Sequence, residues 1–577
     1  MVLPLVTFCA AALPVLYLLF LVHRYAVPIP ALDDWEMAPL VVKAHRGGLT
    51  FFDLFEQQQE SRTFFPKLIF ILFSFGRHWD VRVEMMLSIF FCCLTSLGIY
   101  FLLKKSALSG VAAAAVFILV VLLIFSPVQE ELWLLASGFP SFIPALCIVA
   151  GLVVIRTNVS VAAKFSLCLV LAFFSSFSLA NGVLAWGLTF PVLFLTQRNP
   201  AWKGWLGSWL TAGVICAAIY FWKFRPQDEL PQFAPPESPP VYLQYLCAFL
   251  GSGLARVGNE HPLAVASFVG ALLLLGYLAV LTHVIFCFRD AEHRARVLPW
   301  LALGMYSIGS GCLAAMGRIG WGVSQALESR YVTFSLYLTV AMIALIAILA
   351  ERLSKVHRSA GARLTFFTAV IFFGASYLTL ELLCAAASVP LFRVRSAALH
   401  LGHGAILFNQ VLDTSETIKL VNFPRPHFVR QNADALDRLH LLKTPLIRTK
   451  EIQALRHSDN EDPSAVGWFD GLAPSGQDLA TAWGWAALVG RGRPADCVVL
   501  AYSNKRGEWI AFALSNAVVS RPDVAKVLES PEQLWTGWQA TFHRGAVPEG
   551  AKISAWAVDA KDGKLYRLKE NAQVPKL

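Results

Sequence analysis

The chain has 577 residues, of which 56% are hydrophobic and only 15% are charged, and its mean hydropathy is +0.57. A soluble globular domain normally has about a quarter of its residues charged, so this composition excludes an ordinary soluble protein. The net charge of +10 does not indicate a nucleic-acid partner, because basic residues of membrane proteins collect in cytoplasmic loops. The composition predicts a multi-pass protein surrounded by a lipid bilayer.

The N-terminal stretch 3–22 is apolar for longer than the core of a signal peptide and lacks a small-residue cleavage site. We therefore expect it to be a retained first span. Ten of the eleven cysteines, from Cys9 to Cys384, lie in or beside apolar stretches, where thiols behave as small hydrophobic groups. Cys497 stands alone in the polar C-terminal region. The sequence has no CxxC or Cys/His metal spacing, and it predicts no disulfide framework.

Eleven apolar stretches are long enough to cross a bilayer as helices. They lie near residues 4–23, 84–103, 108–126, 138–155, 162–179, 182–197, 204–222, 264–287, 298–316, 331–350 and 363–387. If all eleven cross, the basic clusters fall on one side: Lys104-Lys105, Arg156 with Lys164, Arg198 with Lys203, Arg289 with Arg294 and Arg296, and Arg352 through Arg363. The positive-inside rule makes that side the cytoplasm. The N-terminus is then cytoplasmic, and everything after about residue 388 is extracytoplasmic.

Two further apolar stretches, 64–75 and 242–254, are not counted as spans. The first is short and ends at Arg77-His78, and the second is interrupted by Gly251 and Gly253. Counting either one alone would reverse the pattern of basic clusters downstream. We expect both to be helices that lie along or dip into the outer membrane surface.

The predicted fold class is a polytopic α-helical membrane protein with an extracytoplasmic C-terminal α+β or β-sandwich domain. We expect residues 1–390 to form a transmembrane domain that carries the catalytic candidates described below, with a long first outer loop at 25–83. Residues 391–464 form a helical extracytoplasmic linker region, and 465–577 form a small β-rich domain. In the last region, short stretches separated by turn residues predict strands at 497–502, 509–514, 553–558 and 565–568.

Asp33 and Asp34 follow Pro28 and Pro30 in the first outer loop. One interpretation is structural: Asp33 is the N-cap of a helix, and Glu36 completes a capping box. The other is catalytic, because a sugar or alcohol hydroxyl is a poor nucleophile until a positioned carboxylate accepts its proton. The two interpretations are compatible, since a capping carboxylate is held rigidly. Asp33 and Asp34 are therefore the candidate catalytic residues.

Basic side chains on the same predicted face are candidate ligands of an anionic group. A guanidinium offers planar, bidentate hydrogen bonds to phosphate oxygens. The structural alternatives are a solvated helix start at 60–62 and lipid-headgroup anchoring at Arg330. The candidates for binding a donor phosphate are Arg62, Arg330, Arg318 and Lys67, and the further candidates for the site are Glu60, Glu36 and Tyr331.

Together these features resemble the type-C glycosyltransferases, integral membrane enzymes that take a sugar from a polyprenyl-phosphate carrier on the outer face. The resemblance rests on many spans, a long first outer loop with helices along the membrane, an early acidic pair and a soluble C-terminal domain outside. In that family the acidic pair of the first loop carries the catalytic base, and Asp33-Asp34 matches its position. The segment 471–568, with Trp483-Gly484-Trp485-Ala486, Arg521-Pro522-Asp523-Val524 and Gly537-Trp538, resembles β-sandwich modules appended to bacterial glycosyltransferases.

The resemblance implies a glycosyltransferase of the bacterial inner (cytoplasmic) membrane, with its active site and C-terminal domain in the periplasm. It would transfer a hexosyl or pentosyl unit from a polyprenyl-phosphate donor to a glycan, lipid or protein acceptor, with inversion. We expect no metal cofactor, because several arginines and only scattered acids lie on the outer face; a bridging Mg²⁺ or Mn²⁺ is the alternative.

Two other functions stay open at this point. A lipid-linked-sugar flippase would share the outward charges, but the spans have almost no ionisable residues at mid-depth to form a polar path. A non-catalytic scaffold for envelope assembly would act through the C-terminal module instead.

Overall fold

The computed structural model describes residues 2–76, 78–196, 202–225, 239–258, 260–287, 290–356, 360–421, 423–458, 462–570 and 572–573. Helices α1 to α6 are Val2–Tyr25, Ala38–His45, Phe51–Phe55, Phe64–Ser74, Arg82–Lys105 and Gly110–Ile124. Helices α7 to α12 are Glu130–Trp133, Ile143–Ile155, Val161–Ser176, Leu184–Thr196, Trp202–Phe221 and Pro239–Leu250. Helices α13 to α19 are Pro262–Phe286, Ala291–Arg318, Ser329–Val356, Ala360–Phe408, Ser415–Val421, Pro426–Arg438 and Pro522–Val527.

Within the described ranges, nine helical stretches are long and apolar enough to cross a membrane. They are Leu3–Tyr25, Arg82–Lys105, Gly110–Trp133, Ala136–Ile155, Trp202–Phe221, Pro262–Phe286, Ala291–Trp321, Ser329–Arg352 and Gly374–Phe408. The predicted spans at 162–179 and 182–197 coincide with α9 and α10, which have 16 and 13 residues. Both are shorter than the roughly 20 residues that a bilayer requires. The multi-pass character is therefore confirmed, and nine stretches of the described residues have spanning length. The count of eleven spans stays a prediction.

The two stretches that were left out of the span count form short helices. The first is α4, which has 11 residues. The second is α12, followed after Gly251 by a 3₁₀ helix at Ser252–Gly258. A Cβ on Gly251 would lie 2.0 Å from the carbonyl oxygen of Ala266, and one on Gly270 would lie 1.8 Å from that of Cys247. Glycine at these two positions therefore lets α12 and α13 pack backbone to backbone.

The C-terminal region contains two sheets. Strands β1 to β6 are Arg456–Ser458, Val466–Pro474, Leu479–Leu488, Arg493–Pro494, Cys497–Ser503 and Trp509–Leu514. Strands β7 to β11 are Ala517–Val519, Gly537–His543, Lys552–Asp559, Lys564–Arg567 and Ala572–Gln573. The first sheet has the order β1-β10-β9-β5-β6, with β11 beside β9, and the second has β2-β3-β8-β7, with β4 beside β3. Side chains from both sheets share one apolar core, as in a sandwich.

The first sheet also packs against the helices with its other face. Successive side chains of a strand point to opposite sides. In β5, Val498 and Leu500 enter the sandwich core, whereas Cys497 and Val499 join the core of the helical bundle. Helix α16 makes this contact, since a Cβ on Gly404 would lie 2.3 Å from Cys497 Sγ. Helix α16 is continuous through the predicted domain boundary at residue 390.

The β domain and the loop 26–81 lie at the same end of the bundle. Arg24, at the end of α1, donates to the carbonyl oxygen of Gly492 at 2.7 Å, and the Tyr25 hydroxyl donates to Glu532 at 3.1 Å. In the loop, Glu36 lies 3.5 Å from the guanidinium of Arg425. This end of the bundle therefore contains the loop with Asp33, the helices after residue 415 and the sandwich.

Candidate functional site

The acidic pair of the loop 26–81 lies on a 3₁₀ helix at Leu32–Met37. The N-cap residue is Ala31, so the prediction that Asp33 caps a helix with Glu36 is wrong. Because the helix begins at Leu32, Asp34 occupies its third position and accepts the backbone N–H of Ala31 at 3.1 Å. Asp34 also accepts the backbone N–H of Ser137 at 2.6 Å and is fully buried.

Asp34 is therefore a fixed structural carboxylate. Burial raises its pKa to about 6, although the two backbone hydrogen bonds oppose the rise. With both oxygens occupied and no exposed surface, it has no access to an acceptor hydroxyl in this structure.

Asp33 points to a different environment and is only partly buried. Its carboxylate accepts a hydrogen bond from Gln59 Nε2 at 3.3 Å. Burial raises the pKa of Asp33; the Gln59 hydrogen bond and the charges of Arg330 and Arg318 oppose this rise, and the charge of Glu131 adds to it. The folded chain thus places this carboxylate within electrostatic reach of two arginines. We call Asp33, Gln59, Glu60, Glu131, Arg318 and Arg330 the Asp33 cluster.

Arg330 is the more exposed arginine of the Asp33 cluster. It belongs to the first turn of α15, and its guanidinium lies 3.4 Å from the carboxylate of Glu131 in α7. Its side chain is 39% exposed, so a ligand can reach it. The guanidinium lies 5.5 Å from the ring centroid of Tyr331, which is itself buried. The buried ring of Tyr331 therefore packs against the guanidinium of Arg330.

Arg318, at the end of α14, forms an ion pair with Glu60. Its guanidinium lies 5.2 Å from the ring centroid of Trp321. Glu60 belongs to a tight turn in which Gln58 and Ser61 exchange backbone hydrogen bonds of 2.8 and 2.9 Å. Two adjacent side chains of this turn therefore contact the cluster. Gln59 donates a hydrogen bond to Asp33, and Glu60 forms the ion pair with Arg318.

The structure gives Arg62 and Lys67 another role than phosphate binding. The three guanidinium nitrogens of Arg62 donate to the backbone carbonyls of Tyr220, Phe55 and Trp222, and the side chain is 3% exposed. Lys67 is also buried and donates to the carbonyl of Glu56 at 2.6 Å. Both cations satisfy carbonyl groups where helices end. Arg62 thereby joins the loop 26–81 to the end of α11, and Lys67 joins α4 to the end of α3 within the loop.

Glu36 lies on the side of the 3₁₀ helix that faces Arg425. Burial raises its pKa, and the neighbouring charge of Asp33 adds to this effect. It is therefore part of the electrostatic environment of Asp33, and the structure places it in contact with the helical region after residue 415.

A cavity of about 100 Å³ lies beside Asp33. Its polar lining consists of Asp33, Gln58, Gln59, Ser61, Thr63 and Ser137, and apolar side chains including Phe70 and Leu179 complete it. A site of this size holds several water molecules. Carboxylate, amide and hydroxyl groups thus surround a space that one polar group of a ligand can enter.

Neither Gln59 nor Glu131 is among the residues that the sequence predicts for the site. A second pair, Arg256 with Glu130 at 2.7 Å, lies next to these residues. Among the described residues, no group of three or more His, Cys, Asp or Glu side chains has a metal-binding arrangement.

The sequence matches no family model, and no curated protein is detectably similar to it.

Proposed function

We propose that the protein is a membrane glycosyltransferase that moves a sugar from a polyprenyl-phosphate donor to a hydroxyl group of a glycan, lipid or protein. The observation that carries this proposal is the arrangement around Asp33. A partly buried carboxylate lies beside a polar cavity, and Arg318 and Arg330 lie near enough to affect its pKa. The resemblance of the overall plan to type-C glycosyltransferases supports the same reaction.

In the proposed reaction, Asp33 accepts the proton of the acceptor hydroxyl as that oxygen attacks the anomeric carbon. The bond between the anomeric carbon and the phosphate oxygen breaks, and its electron pair remains on that oxygen. The leaving polyprenyl phosphate gains one negative charge, which Arg330 and Arg318 stabilise. Attack from the face opposite the phosphate inverts the anomeric configuration.

The exposure of Arg330 favours its role over that of the other predicted cations. Arg62 and Lys67 have carbonyl partners and almost no exposed surface, whereas Arg330 has one long ion pair and an open side. The lipid tail of the donor would lie between spans with its phosphate at this end of the bundle. We further propose that this end faces the periplasm of a bacterial inner membrane, in agreement with the distribution of basic loops.

The test is transfer by the purified chain in lipid nanodiscs. Labelled polyprenyl-phosphate hexose and pentose donors are supplied with hydroxyl acceptors, and the product linkage is determined by NMR. The proposal predicts a glycoside of inverted configuration, formed equally well with and without EDTA. Movement of the donor across vesicles without any transfer product would instead support a flippase. A cellular phenotype that depends on residues 465–577 but not on Asp33 would support a scaffold.

A further inference from the structure

The turn at Gln58–Ser61 holds Gln59 in an unusual backbone conformation. The φ angle of Gln59 is +48°, in the left-handed region that side chains other than glycine and asparagine rarely adopt. Strain of this kind persists only where the surrounding structure enforces it, and it concentrates at functional positions. Here it directs the amide of Gln59 to the carboxylate of Asp33.

Contacts on several sides enforce this conformation. Ser61 Oγ accepts the backbone N–H of Ala180 at 3.1 Å, and the Tyr220 hydroxyl donates to the carbonyl of Glu60 at 2.9 Å. Thr63 Oγ1 donates to the side chain of Gln58 at 2.8 Å. The turn is therefore fixed to α11, to the segment before α10 and to its own flanking residues, and its tip cannot relax independently.

The cavity beside this turn has a distinct chemical character. Its lining contains the carboxylate of Asp33, the amides of Gln58 and Gln59, and the hydroxyls of Ser61 and Thr63. Among the residues that the structure describes, no cationic side chain lines it, and Arg318 and Arg330 lie outside the lining. A negatively charged group there would lie beside a carboxylate with no cationic side chain in the lining, whereas a neutral hydroxyl group finds both donors and acceptors.

We propose that this cavity is the acceptor subsite, that it admits a hydroxyl group of an uncharged polyol such as a neutral sugar, and that Gln59 is a positioning residue for Asp33. This inference rests on the proposed function, since it assigns the cavity and the two arginines to different substrates. The donor phosphate lies toward Arg318 and Arg330, and the acceptor hydroxyl enters from the cavity. An inverting displacement requires such an arrangement, because the nucleophile and the leaving group occupy opposite faces of the sugar.

Binding can be tested without any donor, by saturation-transfer NMR on the purified full chain with methyl β-glucoside and methyl β-glucuronide as probes. We expect saturation of the neutral glycoside to exceed that of the glucuronide several-fold. Gln59→Leu should lower the neutral signal several-fold, and the control Gln410→Leu, whose side chain donates to Asn409 and to the carbonyl of Arg430, should not. Equal signals for the two probes, or no effect of Gln59→Leu, would overturn the subsite.

The positioning role has a separate test, because Gln59→Gly removes the amide while it relieves the strained φ angle. This variant should unfold at the wild-type temperature or higher and yet transfer sugar at least tenfold more slowly. Its acid limb in kcat/KM should also move to higher pH, because the charged form of Asp33 loses a hydrogen bond. The charged groups facing Asp33 are Asp34, Glu36, Glu131, Arg318 and Arg330, and all of them remain in the variant.

Wild-type activity with an unchanged pH profile in Gln59→Gly would overturn the positioning role and leave the proposed function intact. Absence of transfer by the wild-type chain would contradict the proposed function, while the NMR experiment would still decide whether the cavity binds neutral sugars.

Discussion

The carboxylate of Glu131 lies 3.4 Å from the guanidinium of Arg330, a longer contact than a well-formed charged hydrogen bond. Arg330 is 39% exposed at this contact. Arg62 forms the opposite case, since its three nitrogens donate to backbone carbonyls and only 3% of the residue is exposed. The two arginines are therefore expected to respond differently to the same substitution.

Replacement of Arg330 by alanine should weaken donor binding or turnover. Loss of a hydrogen bond from a cation to an anion costs about 1.5–3 kcal/mol, which corresponds to roughly ten- to a hundredfold. Arg330→Lys should recover only part of the loss, because an ammonium group lacks the planar fork of guanidinium.

The measurement is donor KM and kcat in nanodiscs. Arg448→Ala, whose partners are Asp434 and Asp437, is the control, and full activity of Arg330→Ala at normal expression would remove Arg330 from the site.

Replacement of Arg62 by methionine should destabilise the protein and leave the donor KM of the folded fraction unchanged. The substitution leaves buried carbonyls of Phe55 and Tyr220 without a donor. Each unsatisfied buried group costs about 1–3 kcal/mol. The unfolding temperature in detergent measures the effect. A wild-type unfolding temperature together with weak donor binding would return Arg62 to a phosphate-binding role.

Asp34 should make the stability of the protein depend on pH. Its folded-state pKa is about 6, above the ordinary value of 3.8, so the protonated form favours folding. This contribution is complete below about pH 3.8 and is lost as the pH rises through 6, which amounts to about 3 kcal/mol. The unfolding free energy of the wild type should therefore fall between pH 4 and pH 8. In Asp34→Asn this fall should be smaller by about 3 kcal/mol.

The control for this experiment is Asp53→Asn. Hydrogen bonds from Lys43 and Thr50 lower the pKa of Asp53 to about 2, so it does not titrate between pH 4 and pH 8. Its variant should keep the wild-type slope. If the unfolding free energy of Asp34→Asn parallels that of the wild type over this range, Asp34 does not titrate as the structure indicates.

Gly404→Ala should weaken the attachment of the β domain to α16. Its Cβ would lie 2.3 Å from Cys497 Sγ and 2.7 Å from Cys497 Cβ, and overpacking of this kind costs about 1–3 kcal/mol. Limited proteolysis should cleave the variant faster near the domain junction. Gly545→Ala, with nothing within 4 Å of its Cβ, should behave as the wild type. Equal proteolysis of the two variants would show that the contact contributes nothing to docking.

The sequence predicted the first sheet of the β domain well and the second sheet poorly. The four predicted strands correspond to β5, β6, β9 and β10, and all four belong to the first sheet. Strands β5, β6 and β9 are runs of mostly apolar residues, as expected for a sheet that packs on both faces. In β3 the inward positions are Ala480, Ala482, Gly484 and Ala486, which have low strand propensity. They fit because large side chains of the neighbouring strand fill the space: a Cβ on Gly484 would lie 2.8 Å from the Trp538 ring. Which large side chain fills the space beside a small one depends on which strands pair, and the local sequence of β3 does not show that it pairs with β8.

In the candidate site, too, features of the local sequence could be predicted, and contacts with residues far along the chain could not. The position after the first span singles out Asp33, and charge at a helix end singles out Arg330; the roles of both residues stay predictions. The partners of Arg62 are carbonyls of Tyr220 and Trp222, far along the chain, and no local signal marks them as free. Gln59 was missed because its importance arises from a left-handed backbone angle and a contact to Asp33, and both are tertiary features.

The most direct test of the central claim is the transfer rate of Asp33→Asn. An asparagine keeps the shape of the side chain but cannot accept the acceptor proton, so kcat should fall by about 10²–10⁴-fold. Donor binding and the unfolding temperature should stay near those of the wild type, and Asp53→Asn, in the same loop, should retain full activity. A transfer rate of Asp33→Asn equal to that of the wild type would contradict the assignment of Asp33 as the catalytic base.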